Sequence, residues 1–281
     1  MGTPILRKEI LIPQKTSKMI LKAPAIAAKA RPGHFVMLRM SNAGERIPLT
    51  IADADPDKGE ITIVYLVLGK STALLEGLNS GDEILDVCGP LGKPTHIEKK
   101  GTVICVGGGT GIAAMHHIAK GHKRAGNKVV AIIGARSKDL LLFEKELMAF
   151  ADEVIVCTDD GSYQRKGLVT EPLKERLEQD HDVAEVVAVG PVPMMDAVAK
   201  TTSPFNVMTT VSLNPIMVDG IGMCGACRVS VGGETKFACV DGPEFDGHKV
   251  DFAELRRRLG AFKRQEDESF NNYQKEHGIG N

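Results

Sequence analysis

Residues 101–114, GTVICVGGGTGIAA, join an apolar run, Val103 to Val106, to glycines at 107, 108, 109 and 111. The stretch behind them, IAAMHHIAKGHKRAG over 112–126, has helical spacing. An apolar strand that runs through glycines into a helix opens a βαβ unit. The pattern then repeats. VVAIIGAR (129–136), DEVIVCT (152–158), EVVAVG (185–190) and FNVMTTV (205–211) read as strands. LLLFEKELMAF (140–150), the stretch through LVTEPLKERLEQ (168–179) and PVPMMDAVAKTTS (191–203) lie between them as helical segments. Strands alternating with helices of this length predict a parallel sheet covered on both faces.

Upstream the period changes. ILRKEILIPQKTSKMILKAP (5–24), GHFVMLRM (33–40), EITIVYLVL (60–68) and EILDVCG (83–89) are short strand-like runs separated by glycine and proline turns. They predict a small antiparallel barrel or sandwich, with one short helical piece at Thr72 to Leu78. Downstream, residues 213–250 are rich in glycine and hold three cysteines without a long periodic segment, so their order is expected to come from a metal or disulfides. Residues 251–281 are strongly charged and read as a helix with a docking arm or frayed tail. The expected organisation is therefore 1–97 barrel, 98–212 α/β nucleotide-binding domain, 213–250 metal lobe and 251–281 helix or tail.

Composition narrows the function classes. In 281 residues, 35 Lys and Arg nearly balance 36 Asp and Glu, which leaves no global field for nucleic acid or anionic lipid. With 9 Phe, 3 Tyr and no Trp, a base-stacking surface is not expected. The sequence holds no apolar run of the roughly eighteen residues that a membrane span needs. The opening MGTPILRKEILIPQK lacks the core of a secretory signal, so a cytoplasmic location is expected.

Two motifs carry chemistry. The glycines of VGGGTGIAAM let a phosphate approach backbone N–H groups at a helix amino end. Their spacing departs from G-x-G-x-x-G and the P-loop lysine is missing, so a dinucleotide or pyrophosphate fits better than triphosphate hydrolysis; a turn glycine-rich only for packing is the alternative. Arg136 ends the second strand of this region, where it would contact a 2′-phosphate or simply solvate the strand end. The other motif is Asp219-Gly-Ile-Gly-Met-Cys224-Gly-Ala-Cys227, followed by Cys239. Thiolates at this spacing suit an iron–sulfur centre, with zinc or a redox-active cysteine pair as alternatives. A fourth ligand is needed, and Asp219, inside the same loop, is a better candidate than His248. Cys88, Cys105 and Cys157 are isolated and read as buried small side chains.

In this order the motifs resemble the PyrK-like branch of the ferredoxin–NADP reductase superfamily over about residues 1–250. The resemblance implies an antiparallel flavin-binding β-barrel, a parallel-sheet NAD(H)-binding domain and a small C-terminal iron–sulfur lobe. It places Arg46 on the flavin phosphate and Thr50, nearest the chemistry, beside the flavin ring, within Arg46-Ile-Pro48-Leu49-Thr50-Ile51-Ala52-Asp53. A guanidinium fork suits phosphate, and a strand-end hydroxyl can bond a ring nitrogen. Gly69-Lys70-Ser71-Thr72 corresponds to a turn facing the flavin phosphates, with a plain helix cap as the alternative for either hydroxyl. Gly107-Gly108-Gly109-Thr110-Gly111 corresponds to the nicotinamide-nucleotide loop. Val189-Gly190-Pro191-Val192-Pro193-Met194 matches a second nucleotide turn, with Val189 where related reductases have cysteine, so no thiol takes part there.

The branch binds its [2Fe–2S] cluster through four cysteines, and the first is replaced here by Asp219, beside Cys224, Cys227 and Cys239. This set resembles the small subunits of electron-bifurcating NADH/ferredoxin:NADP oxidoreductases more than the electron-transfer subunits of NAD-dependent dihydroorotate dehydrogenases. The implied partner is a large flavoprotein subunit carrying a second FAD and [4Fe–4S] clusters, through which ferredoxin is reached. A redox sensor without turnover is the reading from another class.

Overall fold

The computed structural model describes residues 2–278; Met1 and residues 279–281, the outer ends of the first and last expected segments, lie outside the described residues. The chain begins with β1 (Thr3–Ile12) and β2 (Thr16–Lys22), one helical turn α1 (Pro24–Ala27), then β3 (Phe35–Arg39), β4 (Ile47–Asp55) and β5 (Glu60–Leu66). Helix α2 (Lys70–Glu76) leads to β6 (Glu83–Ile84) and β7 (Asp86–Leu91). All pairings are antiparallel, in the order β6-β1-β2-β5-β4-β3-β7. The two edge strands β6 and β7 are separated in the chain only by Leu85, so the sheet has curled until its edges nearly meet. Alternate residues point inward, and Met19, Leu21, Val36, Leu38, Ile51 and Ile63 fill the interior.

The second half alternates as the sequence predicts: β8 (Thr102–Gly108), α3 (Gly111–Arg124), β9 (Lys128–Ala135), α4 (Glu144–Met148), β10 (Glu153–Thr158), β11 (Arg165–Lys166), α5 (Thr170–Gln179), β12 (Val183–Val189), α6 (Val192–Thr202) and β13 (Met208–Ser212). β8 is buried along its whole length and sits centrally between β9 and β12. The chain runs outward from β8 through β9 and β10, then returns to β8's other side as β12. This reversal is a topological switch point, where the carboxyl ends of two adjacent strands diverge to different connections.

The last part contributes the hairpin β14 (Arg228–Val231) and β15 (Glu234–Phe237), the turn α7 (Ala238–Asp241), β16 (Glu244–Asp246), and helices α8 (Phe252–Leu259) and α9 (Lys263–His277). β16 adds antiparallel to β13, so the second sheet is mixed at one edge rather than purely parallel. The local period cannot show this, because β16 lies more than thirty residues beyond β13. The lobe shares a core with the barrel: Met217, Cys227, Ala238 and Cys239 pack against Phe35 and Met37 of β3.

Three local expectations are corrected. The helix expected over 140–150 is confined to α4, because Phe143 adopts φ +58° and breaks it. The short helix expected at 72–78 begins at Lys70, since Thr72 Oγ1 hydrogen-bonds both N–H and C=O of Gly69 and closes the turn earlier. Cys88 is exposed, not buried, because it lies on the edge strand β7; Cys105 and Cys157 are buried. The end of the chain is helical to His277, and α9 lies against α2 with Tyr273 buried. No described helix is long and apolar enough to cross a membrane.

Candidate functional site

A cleft of about 620 Å³ separates the barrel from the second sheet. Pro48, Leu49, Thr50 and Ala52 of β4, with Val64 and Tyr65 of β5, form one wall. Gly108, Gly109, Thr110 and Gly111, followed by Ala113 and Ala114 of α3, form the opposite wall. Val189, Gly190 and Pro191 close the end of the switch point, and Phe35, Leu213, Met217 and Pro243 close the side nearest the lobe.

The glycine turn is built for close approach. A Cβ on Gly111 would lie 2.6 Å from the Val189 oxygen and 2.7 Å from Gly190 Cα, so the loops after β8 and β12 touch backbone to backbone. Gly109 has φ +55°, which brings the backbone round with nothing above it. Thr110 caps α3 without a side-chain hydrogen bond, and the first turn holds no acidic residue. The partial positive charge of the helix is therefore left facing the cleft.

The barrel residues divide. Thr50 lines the cleft with Pro48, Leu49 and Ala52, whereas Ile51 points into the barrel core. Asp53 turns away from the cleft and meets Lys120 Nζ at 2.7 Å. Burial alone would raise the Asp53 carboxyl, but the hydrogen bond and charge of Lys120, with help from the Ala54 N–H, hold it below the usual range. Arg46 is exposed. Thr72 lines the cleft, though its hydroxyl serves as the local cap of α2. The Ser71 hydroxyl is spent on Glu45, at 2.5 Å, and Lys70 is exposed beside it. Arg136 is exposed at the end of β9, outside the cleft.

Sequence reasoning missed the α3 wall at Ala113 and Ala114, Tyr65, and the lobe-side wall of Ser212 to Asn214, Met217 and Pro243. Tyr65 donates its hydroxyl to Glu76 at 2.7 Å, and burial followed by that carboxylate raises its phenol. Small residues one turn beyond a glycine loop were the only available signal for the α3 wall.

The cysteine loop forms a second centre. Glycines 220, 222 and 225 all have positive φ, which coils the backbone around the sulfurs. The Ala226 N–H approaches Cys224 Sγ at 3.5 Å, and the Cys239 N–H approaches Cys227 Sγ at 3.5 Å. The sulfurs of Cys227 and Cys239 are 3.2 Å apart, and burial followed by this contact pushes the Cys239 thiol up to about 12. A bound cation would reverse that preference. Asp219 accepts from the Ile221 N–H at 2.8 Å and the Cys224 N–H at 2.6 Å, and these bonds hold its carboxyl below the usual range. Among the described residues no three ligating side chains converge tightly enough to hold an ion as they stand. The donor set nonetheless fits an iron–sulfur cluster: three thiols and one ionised carboxylate in a glycine-coiled loop that aims N–H groups at sulfur.

Two family models match this chain. Residues 105–200 match the family model of the oxidoreductase NAD-binding domain, and residues 214–251 that of the iron–sulfur cluster binding domain of dihydroorotate dehydrogenase B. The chain is 46% identical over 271 residues to a Thermotoga maritima homologue of the electron transfer subunit of dihydroorotate dehydrogenase B (NAD(+)), covering 96% of this chain and 95% of that one. Against the Bacillus caldolyticus electron transfer subunit of that enzyme, identity is 35%, covering 85% and 94%. Among solved structures, a chain of the NADH-dependent reduced ferredoxin–NADP oxidoreductase, determined for insight into flavin-based electron bifurcation, superimposes with a TM-score of 0.91 at 44% identity, covering 97% and 98%.

Proposed function

Since this chain belongs to the PyrK-like family of dihydroorotate dehydrogenase B electron transfer subunits and their homologues, we propose that it is the NAD(H)-handling subunit of an electron-bifurcating NADH/ferredoxin:NADP oxidoreductase. The coarser function is a flavin and iron–sulfur electron-transfer subunit of an NAD(H)- and ferredoxin-linked oxidoreductase. The cleft, whose two walls are a flavin-type strand at Thr50 and a nucleotide-type glycine turn at Gly108–Gly111, supports the handling of NAD(H) beside flavin. The observation that favours the finer reading is Asp219 in place of the first cluster cysteine, together with the superposition on the NADH-dependent reduced ferredoxin–NADP oxidoreductase chain.

In this reading Arg46 and the turn Gly69–Thr72 hold the phosphates of FAD. With the Ser71 hydroxyl engaged by Glu45, backbone N–H groups and Arg46 carry most of that contact. Thr50 presents its hydroxyl to the flavin ring from a strand anchored on both sides. Gly107–Gly111, Gly190 and Pro191 receive the nicotinamide nucleotide, with Arg136 beyond them past the carboxyl end of β9. Ala52 and Ala113 pack against each other where the two walls meet, and their small side chains let α3 approach β4 closely there. Bound flavin supplies the conversion between a two-electron hydride and single electrons, which an iron–sulfur centre requires. Asp219, Cys224, Cys227 and Cys239 hold a [2Fe–2S] cluster in a loop whose rim is exposed and apolar at Val218, Ile221, Met223 and Val240. That rim suits docking against the proposed large flavoprotein subunit with FAD and [4Fe–4S] clusters.

The test is anaerobic purification with whatever co-purifies, followed by flavin, iron and acid-labile sulfide analysis. A large subunit that reduces NADP with NADH and reduced ferredoxin supports the proposal. A co-purifying dihydroorotate dehydrogenase would instead assign the chain to the pyrimidine enzyme.

A further inference from the structure

Two cationic side chains grip the turn between the paired cysteines. Arg228 Nη1 donates to the Gly225 carbonyl at 3.1 Å, and Arg258 Nη2 donates to the Ala226 carbonyl at 3.1 Å. Gly225 and Ala226 are the only residues between Cys224 and Cys227. The carbonyls of this turn are thus tied to guanidinium groups, while the Ala226 N–H faces sulfur. Arg228 opens β14 at the exposed surface, but Arg258 arrives from α8, outside the stretch 214–251 that matches the iron–sulfur family model. It is only partly exposed and shares an apolar hollow of about 270 Å³ with Leu255, Leu259 and Phe262. A guanidinium in such surroundings is poorly screened by solvent and acts on nearby charge at greater strength.

We propose that Arg258, with a smaller contribution from Arg228, sets the reduction potential of the cluster held by Asp219 and the three cysteines. The proposal rests on that cluster reading. Reduction adds one electron to a centre whose ligands are already anionic. A fixed positive charge beside Cys224 and Cys227 stabilises the added negative charge and raises the potential. The contact also links the C-terminal helices to electron transfer: α8 delivers the charge, and α9 behind it lies against α2, next to the proposed flavin turn.

The test is an anaerobic redox titration of the purified holo-complex with dithionite and mediators, followed by the EPR signal of the reduced cluster. Arg258→Gln keeps an amide donor for the Ala226 carbonyl and removes the charge. It is expected to weaken reduction about tenfold, a shift of ~59 mV to more negative potential for one electron. Arg258→Lys keeps the charge and should stay near the wild-type midpoint. Arg228→Gln should shift in the same direction by less, and it remains informative if Arg258→Gln does not assemble. An unchanged midpoint in Arg258→Gln, or in Arg228→Gln when that is the variant that assembles, overturns the proposal. Equal shifts in Arg258→Gln and Arg258→Lys overturn it too, since they would mark a purely structural clamp. Wild-type protein with no such signal would instead refute the cluster reading itself.

Discussion

His117 on α3 meets the Ile51 carbonyl on β4 through its Nδ1 at 3.0 Å, joining the helix that begins at the glycine turn to the strand that carries Thr50. A carbonyl only accepts, so Nδ1 carries the proton, and burial keeps the imidazole neutral by lowering its pKa. One turn on, Lys120 meets Asp53, the residue two beyond Ile51 on the same strand. Ala113, one turn earlier, is buried against Ala52 and Val64. One face of α3 thereby fixes the spacing between the two walls of the cleft.

Replacing His117 by Leu leaves the Ile51 carbonyl buried without its partner, at a cost of about 1–3 kcal/mol. Urea unfolding should show that loss. Stopped-flow reduction of the flavin should slow more than NADH affinity weakens, because the bond sets the distance between walls and touches neither nucleotide.

The Asp53–Lys120 pair has a pH signature. The Asp53 carboxyl is depressed in the folded state, so its stabilisation is present above the ordinary carboxylate pKa of 3.8 and is lost as pH falls through the depressed value. Asp53→Asn should flatten that acid limb, costing about 0.5–1 kcal/mol at pH 7, since solvent screens this part-exposed pair, and progressively less as pH falls through the acid limb. Urea midpoints measured from pH 3 to pH 7 check this; parallel curves for the two proteins would contradict it.

Gly111→Ala forces a Cβ against the Val189 oxygen and Gly190 Cα, and both are backbone. Neither loop can yield without opening the switch point. The variant should lose several-fold or more in NADH affinity by fluorescence titration, while iron content stays near wild type because neither Asp219 nor any of the three cysteines lines this cleft.

Glu244 gives the opposite pH dependence. It accepts from Thr95 Oγ1 at 2.6 Å between barrel and sheet, and burial pushes its carboxyl up to about 7. A raised folded pKa means that its contribution is intact below the unfolded value of 4.5 and lost as pH rises through about 7. Glu244→Gln should therefore be more stable than wild type at pH 8, by roughly 1–3 kcal/mol, with the difference gone at pH 4. Equal midpoints at pH 8 would count against this account of Glu244.

Asp219→Cys supplies the fourth thiolate of the related pattern. It should keep iron and sulfide while changing the EPR spectrum and potential, since a carboxylate is a harder ligand than thiolate. An unchanged spectrum would remove Asp219 from the coordination shell and leave it as the cap of the Ile221 and Cys224 N–H groups.

What the sequence made legible was local. The run from Val103 through Gly111 announces a strand, a tight turn and a helix because each is encoded within a few residues. Thr50 and the glycine turn were both readable, but nothing in their spacing says that they face each other. That follows from β4 meeting α3, a long-range contact made by Asp53, which the resemblance puts in the flavin motif and which meets Lys120. The mixed edge at β16 and the reach of Arg258 to Ala226 are likewise invisible to periodicity, since both join segments some thirty residues apart. α4 fell short of its expected length because a single left-handed residue, Phe143, outweighs an otherwise helical composition.

Adding NADH to the anaerobic holoprotein, while flavin absorbance and the EPR of the cluster are followed in one sample, tests the central claim most directly. Flavin bleaching accompanied by the signal of a reduced cluster, with both weakened in Gly111→Ala, is the expected result. Protein that holds flavin and iron yet shows neither bleaching nor a cluster signal with NADH would contradict the account.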